Sequence, residues 1–183
     1  MTPNFDPITG LSGEDNMGGY KNFVLLFLAT HFSAVPTLPA TQVTEADFVT
    51  AAGAFTPKTA GAKPIYIECT PGTVKYSAPS QGEIEGQSFA PAGEFYRAGD
   101  KAAYAAIARK YNNTPCYLVV ENMDGKQIMV GQPGMECNLK FEFDGGQKRA
   151  DRRGYKITYG TDSVSPVIYL ATKVDIEDLL AES

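Results

Sequence analysis

The sequence predicts a mainly β fold, an antiparallel β-sandwich or barrel with one flanking α-helix and extended arms. Three observations predict it. Between Cys116 and Val130, two runs rich in β-branched and aromatic residues flank Asp124-Gly125, a strong hairpin signal. Two further runs, 137–143 and 155–159, alternate apolar and polar side chains, so that Leu139, Phe141 and Phe143 share one face and Asn138, Lys140 and Glu142 the other. The 18 glycines and 12 prolines supply the turns that a chain of short strands requires. The four strands from Cys116 to Tyr159 read as one antiparallel meander, and its apolar face must pack against a second layer.

Residues 1–19 hold Pro3, Pro7, Gly10, Gly13, Gly18 and Gly19 among few large apolar groups, too little to bury a core. The segment reads either as a disordered tail or as an arm docked on a neighbouring subunit, with Phe5 a candidate contact. Residues 20–30 are the most apolar run and lack a polar face, which suits a buried strand better than a helix. Residues 34–64 are rich in Pro, Thr and Ala. A short helix begins there near Thr44, with Glu45 and Asp47 in its first turn. The rest is a long loop, of a length that usually serves function or contacts between molecules.

Residues 64–69 and 72–76 read as two strands joined around Pro71-Gly72. The stretch 81–89 continues as strand toward Tyr96. Its period of two sets Glu83, Glu85 and Gln87 on one face and points Ile84 back into the sandwich. A strand with one acidic, Gly-spaced face is not a core strand; it faces water, a lumen or a partner. Residues 100–112 give the clearest helix, with Asp100 as its cap and Ala102, Ala103, Ala105 and Ala106 as strong helix formers. Tyr104, Ile107, Ala108 and Tyr111 are spaced to face a sheet, while Lys101, Arg109 and Lys110 reach solvent. Asn112, Asn113 and Pro115 end it. Residues 166–170 form a last strand, and 174–180 one or two helical turns carrying Val174, Ile176, Leu179 and Leu180. The organisation is thus an arm (1–19), a sandwich domain (20–171) with a long loop (34–64), and a short C-terminal helix or tail (172–183).

With 183 residues the chain has room for one sizeable core. Its net charge of −5 argues against broad attraction to nucleic acid or to anionic membranes. No apolar stretch approaches the roughly 20 residues that span a bilayer. The first 19 residues lack the basic start of a signal peptide, so synthesis in the cytoplasm and no membrane association are expected. Cys69, Cys116 and Cys137 lie in separate strand-like runs and read as buried free thiols. His31, the single histidine, reads as a partly buried structural residue. Dinucleotide, phosphate-loop, zinc-protease and serine-hydrolase motifs do not occur, so no catalytic residue, cofactor or metal site is expected. Lys148, Arg149, Arg152 and Arg153 form one basic cluster, either a solvated loop tip or a contact to an acidic partner surface.

The stretches Gln81-Gly-Glu83-Ile-Glu85-Gly-Gln-Ser-Phe89, Gly99-Asp100, Glu121-Asn-Met-Asp-Gly125 and Ala150-Asp-Arg-Arg-Gly-Tyr155 resemble virion structural proteins of phages and prophages from the Bacteroidetes group, the tail tube proteins. The resemblance covers roughly residues 18–170. It implies six-fold rings that stack, with inner strands forming a continuous β-barrel and with arms or loops gripping the next ring. Its partners would be other copies of the chain, other tail proteins, and DNA that passes through without specific binding. Its location would be the virion tail, after synthesis in a bacterial host. Under this reading Glu83, Glu85 and Gln87 line the lumen, where carboxylates repel DNA carrying about one charge per 1.7 Å. Lys148, Arg149, Arg152, Arg153 and Phe5 are then contacts between subunits. A receptor- or glycan-binding β-sandwich module of a virion is the alternative, weakened by the absence of Trp. A small enzyme with substrate held between strands comes third.

Overall fold

Strand β1 (Tyr20–Leu28) holds the most apolar run and lies second from one edge of the larger sheet. In the computed structural model, which describes residues 17–148 and 150–177, it is followed by β2 (Phe32–Ala34), β3 (Thr50–Ala51), β4 (Thr56–Pro57) and β5 (Ile65–Glu68). The chain continues through β6 (Lys75–Ser77), β7 (Ser80–Gln81), β8 (Ser88–Phe89) and β9 (Ala92–Ala98). Helix α1 (Ala102–Tyr111) precedes β10 (Cys116–Asn122), β11 (Gln127–Val130), β12 (Asn138–Asp144), β13 (Gly154–Gly160) and β14 (Tyr169–Leu170). The fold is mainly β with one α-helix among the described residues, as the sequence predicts.

Two sheets carry it. One is six-stranded in the order β3-β14-β11-β10-β1-β5, the other four-stranded in the order β12-β13-β9-β6. Within these two sheets the pairings are antiparallel except β14 with β3. The core between the layers joins Val24, Leu26, Leu118 and Val120 of the larger sheet to Phe95, Leu139, Ile157 and Tyr159 of the smaller. Each such side chain, fully buried, contributes about 1.5–3 kcal/mol.

Residues 23–28 are buried throughout because the larger sheet is covered on both faces. Phe23, Leu25, Phe27, Val119 and Met129 point away from the first core into a second one. Its lid is the long loop: Val35, Leu38, Phe55 and Ala51 pack there, and the Phe55 ring stacks on Phe27 at 3.7 Å between centroids. The long loop 34–64 thus has a role within its own chain. Its apolar residues seal their own sheet, held by β2 paired with β4 and β3 paired with β14. The helix expected near Thr44 is a 3-10 turn, Glu45–Phe48, closed by a reciprocal capping box between Thr44 and Asp47.

Three further expectations change. The meander is two hairpins in different sheets: β10 and β11 belong to the larger sheet, β12 and β13 to the smaller. The chain turns between them through Gly131 and Gly134, both at positive φ, and Cys116 and Cys137 exchange backbone hydrogen bonds of 3.1 and 2.8 Å at the seam. The two strands expected around Pro71-Gly72 are β5 and β6, and they lie in opposite sheets. Asp100 does not cap α1; its carboxylate pairs with Arg153, and Lys101 occupies the cap position without a side-chain hydrogen bond. The predicted face of α1 holds, with Tyr104, Ile107 and Ala108 against the core and Tyr111 buried. His31 is exposed, and its carbonyl accepts from the amide of Lys58 at 2.8 Å. All three cysteines are free and buried. Val174 and Ile176 pack on the second core, whereas Leu179 and Leu180 lie outside the described residues.

Candidate functional site

The four-stranded sheet has one face in the core and one face in solvent. Along β9, β13 and β12 the inward positions are Phe95, Ile157 and Leu139, all nearly inaccessible. The outward positions carry Glu94, Lys156, Thr158, Lys140 and Glu142, by the period of two and the observed register. Lys75 of β6 stands opposite Glu94. Lys156 reaches Glu94 at 2.9 Å, and this charge-assisted hydrogen bond holds the Glu94 carboxyl below its ordinary pKa and raises that of Lys156. The outer sides of β12 and β6 pair with no other strand among the described residues. Both are free edges.

At one end of this sheet the strands continue into a projecting ribbon. Pairing runs from Lys75 with Glu94 to Ser77 with Ala92, and resumes in the same register with Ser80–Phe89 and Gln81–Ser88. The ribbon therefore extends β6 and β9 through β7 and β8. Beyond β13 the chain follows it as far as Phe89, which exchanges backbone hydrogen bonds of 2.9 Å with Ser163. The tip is a turn in which the Gly86 amide donates to the Glu83 carbonyl at 3.0 Å, with Glu85 at φ 72.

Glu83, Glu85 and Gln87 consequently do not share the face of a strand. They lie around a hairpin tip, all exposed, and Ile84 does not return to the sandwich but stands 89% exposed. The physical reason is the glycine on either side. Gly82 adopts φ +98, where a Cβ would collide with the Gly86 carbonyl, so the chain reverses where an unbroken strand would need extended backbone. Residues 78–91 and 160–164 contain no Lys or Arg, so this end of the sheet is acidic.

The opposite end carries the basic cluster. Loop 145–153 joins β12 to β13, and its shape is set by Asp151, whose carboxylate accepts from the amides of Lys148 at 2.7 Å and Gln147 at 2.9 Å. These amides, Lys148 first, hold the Asp151 carboxyl below its ordinary pKa. Arg153 is drawn aside by Asp100, while Lys148 and Arg152 are exposed. Arg152 joins Lys75, Lys156, Val74, Phe95 and Tyr96 around a pocket of about 390 Å³. The Tyr96 hydroxyl is buried and has no hydrogen-bond partner among the described residues. Arg149 and Phe5 lie outside the described residues.

The sequence reading missed Lys75, Glu94, Tyr96 and Lys156. The alternation of Lys140 and Glu142 revealed a polar face, but nothing local says which strands extend it. A second pocket, of about 320 Å³, opens beside α1 between the sheets and is lined by Tyr66, Ile67, Ile107, Phe141, Ile157 and Arg97. Arg97 donates to the Tyr104 hydroxyl through Nε at 3.0 Å and lies 3.6 Å from Glu68. The described residues contain no group of His, Cys, Asp and Glu able to hold a metal ion, and no helix long and apolar enough to cross a membrane. No protein-family model matches this chain, and comparison with curated proteins and with solved structures found no match.

Proposed function

We propose that this chain is the structural subunit of a phage tail tube, assembling into rings that stack around a DNA channel. One observation carries the reading: a four-stranded sheet with a polar outer face and two free edges. Its strands alternate in direction, so β12 and β6 run opposite ways. An edge β12 laid beside the β6 of a second copy therefore continues the antiparallel pattern, and the same step repeated about an axis closes a barrel. Closure removes both edges, the usual remedy for exposed strand backbone. The resemblance to tail tube proteins implies six copies in the ring, and in this reading the outer face of the sheet is the channel wall. Lys140 and Glu142 of β12 then present opposite charges to DNA, and Lys156 is already paired with Glu94, so this part of the wall is close to charge balance.

Negative-stain electron microscopy and sedimentation of the purified protein test this reading. Rings or tubes of uniform diameter are expected; a monomer at every concentration and salt would overturn it. A ligand-binding virion module is the second reading, favoured by the apolar pocket beside α1. It expects a monomer that binds sugars.

A further inference from the structure

We propose that successive rings are joined by the two ends of the four-stranded sheet, the Glu83-Ile84-Glu85 tip of one copy seating in the pocket formed by Arg152, Lys75 and Lys156 of a second copy. The inference rests on the ring reading and adds to it the contact along the axis.

Three observations lead there. The ribbon tip and the basic pocket lie at opposite ends of the same strands: the tip beyond Ser77 and Ala92, the pocket beside Lys75, Glu94 and Tyr96. Ile84 lies nine positions beyond Lys75, roughly 30 Å at about 3.3 Å per residue. A chain cannot seat its own tip. A head-to-tail contact between copies is of the kind that repeats without closing, as a stack of rings requires.

Charge is complementary at the two ends. The tip presents Glu83 and Glu85 with no cation in residues 78–91. The pocket presents three cations against Glu94, whose carboxylate already pairs with Lys156. Asp151 in the adjoining loop and Asp144 at the end of β12 accept from backbone amides and leave Lys148 and Arg152 unanswered among the described residues. Ile84 is 89% exposed, an apolar side chain held out between two carboxylates at the apex of the ribbon. Finally, Glu85 holds positive φ, a conformation that presents Ile84 at the apex of the turn.

The test is charge reversal followed by electron microscopy. Glu83→Lys with Glu85→Lys in one variant, and Lys75→Glu with Arg152→Glu in another, are each expected to give separate rings in place of tubes. Mixing the two variants is expected to restore tubes, because each supplies the end that the other lacks. Ile84→Ser, which leaves charge unchanged, is expected to shorten tubes and raise the protein concentration at which they form. All changed side chains are exposed, so melting temperatures should match the parent protein and separate assembly from folding. Tubes of parental length and salt dependence from both charge variants would overturn the stacking contact while leaving the ring reading intact. Absence of rings from the unaltered protein would overturn both.

Discussion

Glu85 occupies the third position of a tight turn at φ 72, where a glycine would be expected. A side chain in the left-handed region costs about 1–2 kcal/mol, and the extra chain entropy of glycine offsets about 0.5–1 kcal/mol of that. Glu85→Gly is therefore expected to leave stability unchanged or raise it by up to about 1 kcal/mol, read from the denaturant midpoint. A clear loss would mean that the carboxylate itself holds the turn. Gly93 is the opposite case: a Cβ there would run into the Lys75 carbonyl and the Tyr159 hydroxyl, which donates to that carbonyl at 2.7 Å. Gly93→Ala should cost about 1–3 kcal/mol, as overpacking does. Asp151 predicts a pH effect. Its folded pKa is lowered, so its contribution is fully present above the ordinary aspartate value of about 3.9 and is lost as pH falls through the lowered one. Melting curves of the parent and Asp151→Asn should differ near neutral pH and converge in strong acid. Equal curves throughout would remove the carboxylate from the loop's stability.

Helix α1 and the C-terminal segment show how elements are fastened to the sheets. Ile107 is only half-buried, so Ile107→Ala should cost about 1–2 kcal/mol, at or below the low end of the range for core truncations. Lys101→Ala on the exposed side should stay within about 0.5 kcal/mol of neutral. Equal shifts in melting temperature would cancel the face assignment. The segment after β14 is held by Gln127, whose side chain accepts from the Val174 amide at 2.8 Å and donates to the Val174 carbonyl at 3.1 Å. It also donates to Glu121, itself buried and paired with Lys21. Gln127→Leu keeps the volume but strands these groups, and should cost about 1–3 kcal/mol with a larger share of the unfolding rate. An unchanged denaturation curve would mean that water replaces the amide.

Across the whole molecule, the larger sheet divides two cores, and the three thiols sit in or beside the first of them. Burial pushes the Cys69 thiol up to about 12, and a hydrogen bond with the neighbouring Cys137, followed by burial, raises Cys116 as well. Thiolate is scarce in the native state, so modification by an aromatic disulfide reagent should follow global unfolding, the three sites reacting together. Fast reaction of one site alone would reveal a local opening. What the sequence determined by itself was whatever neighbouring residues decide. Asp124-Gly125 made a hairpin, the spacing of Tyr104, Ile107 and Tyr111 made one helical face, and the unbroken apolar run of β1 required a strand buried on both sides. Sheet membership was not of that kind. Nothing near Lys126 or Asn138 states that their hairpins belong to different layers, because strand pairing is settled by contacts between residues far apart in the chain. The stretch from Gln81 to Phe89 fits a strand by its alternation and a turn by its glycines. The register of β6 on β9 placed residues 83–86 at the reversal, and so set Ile84 in solvent between two carboxylates.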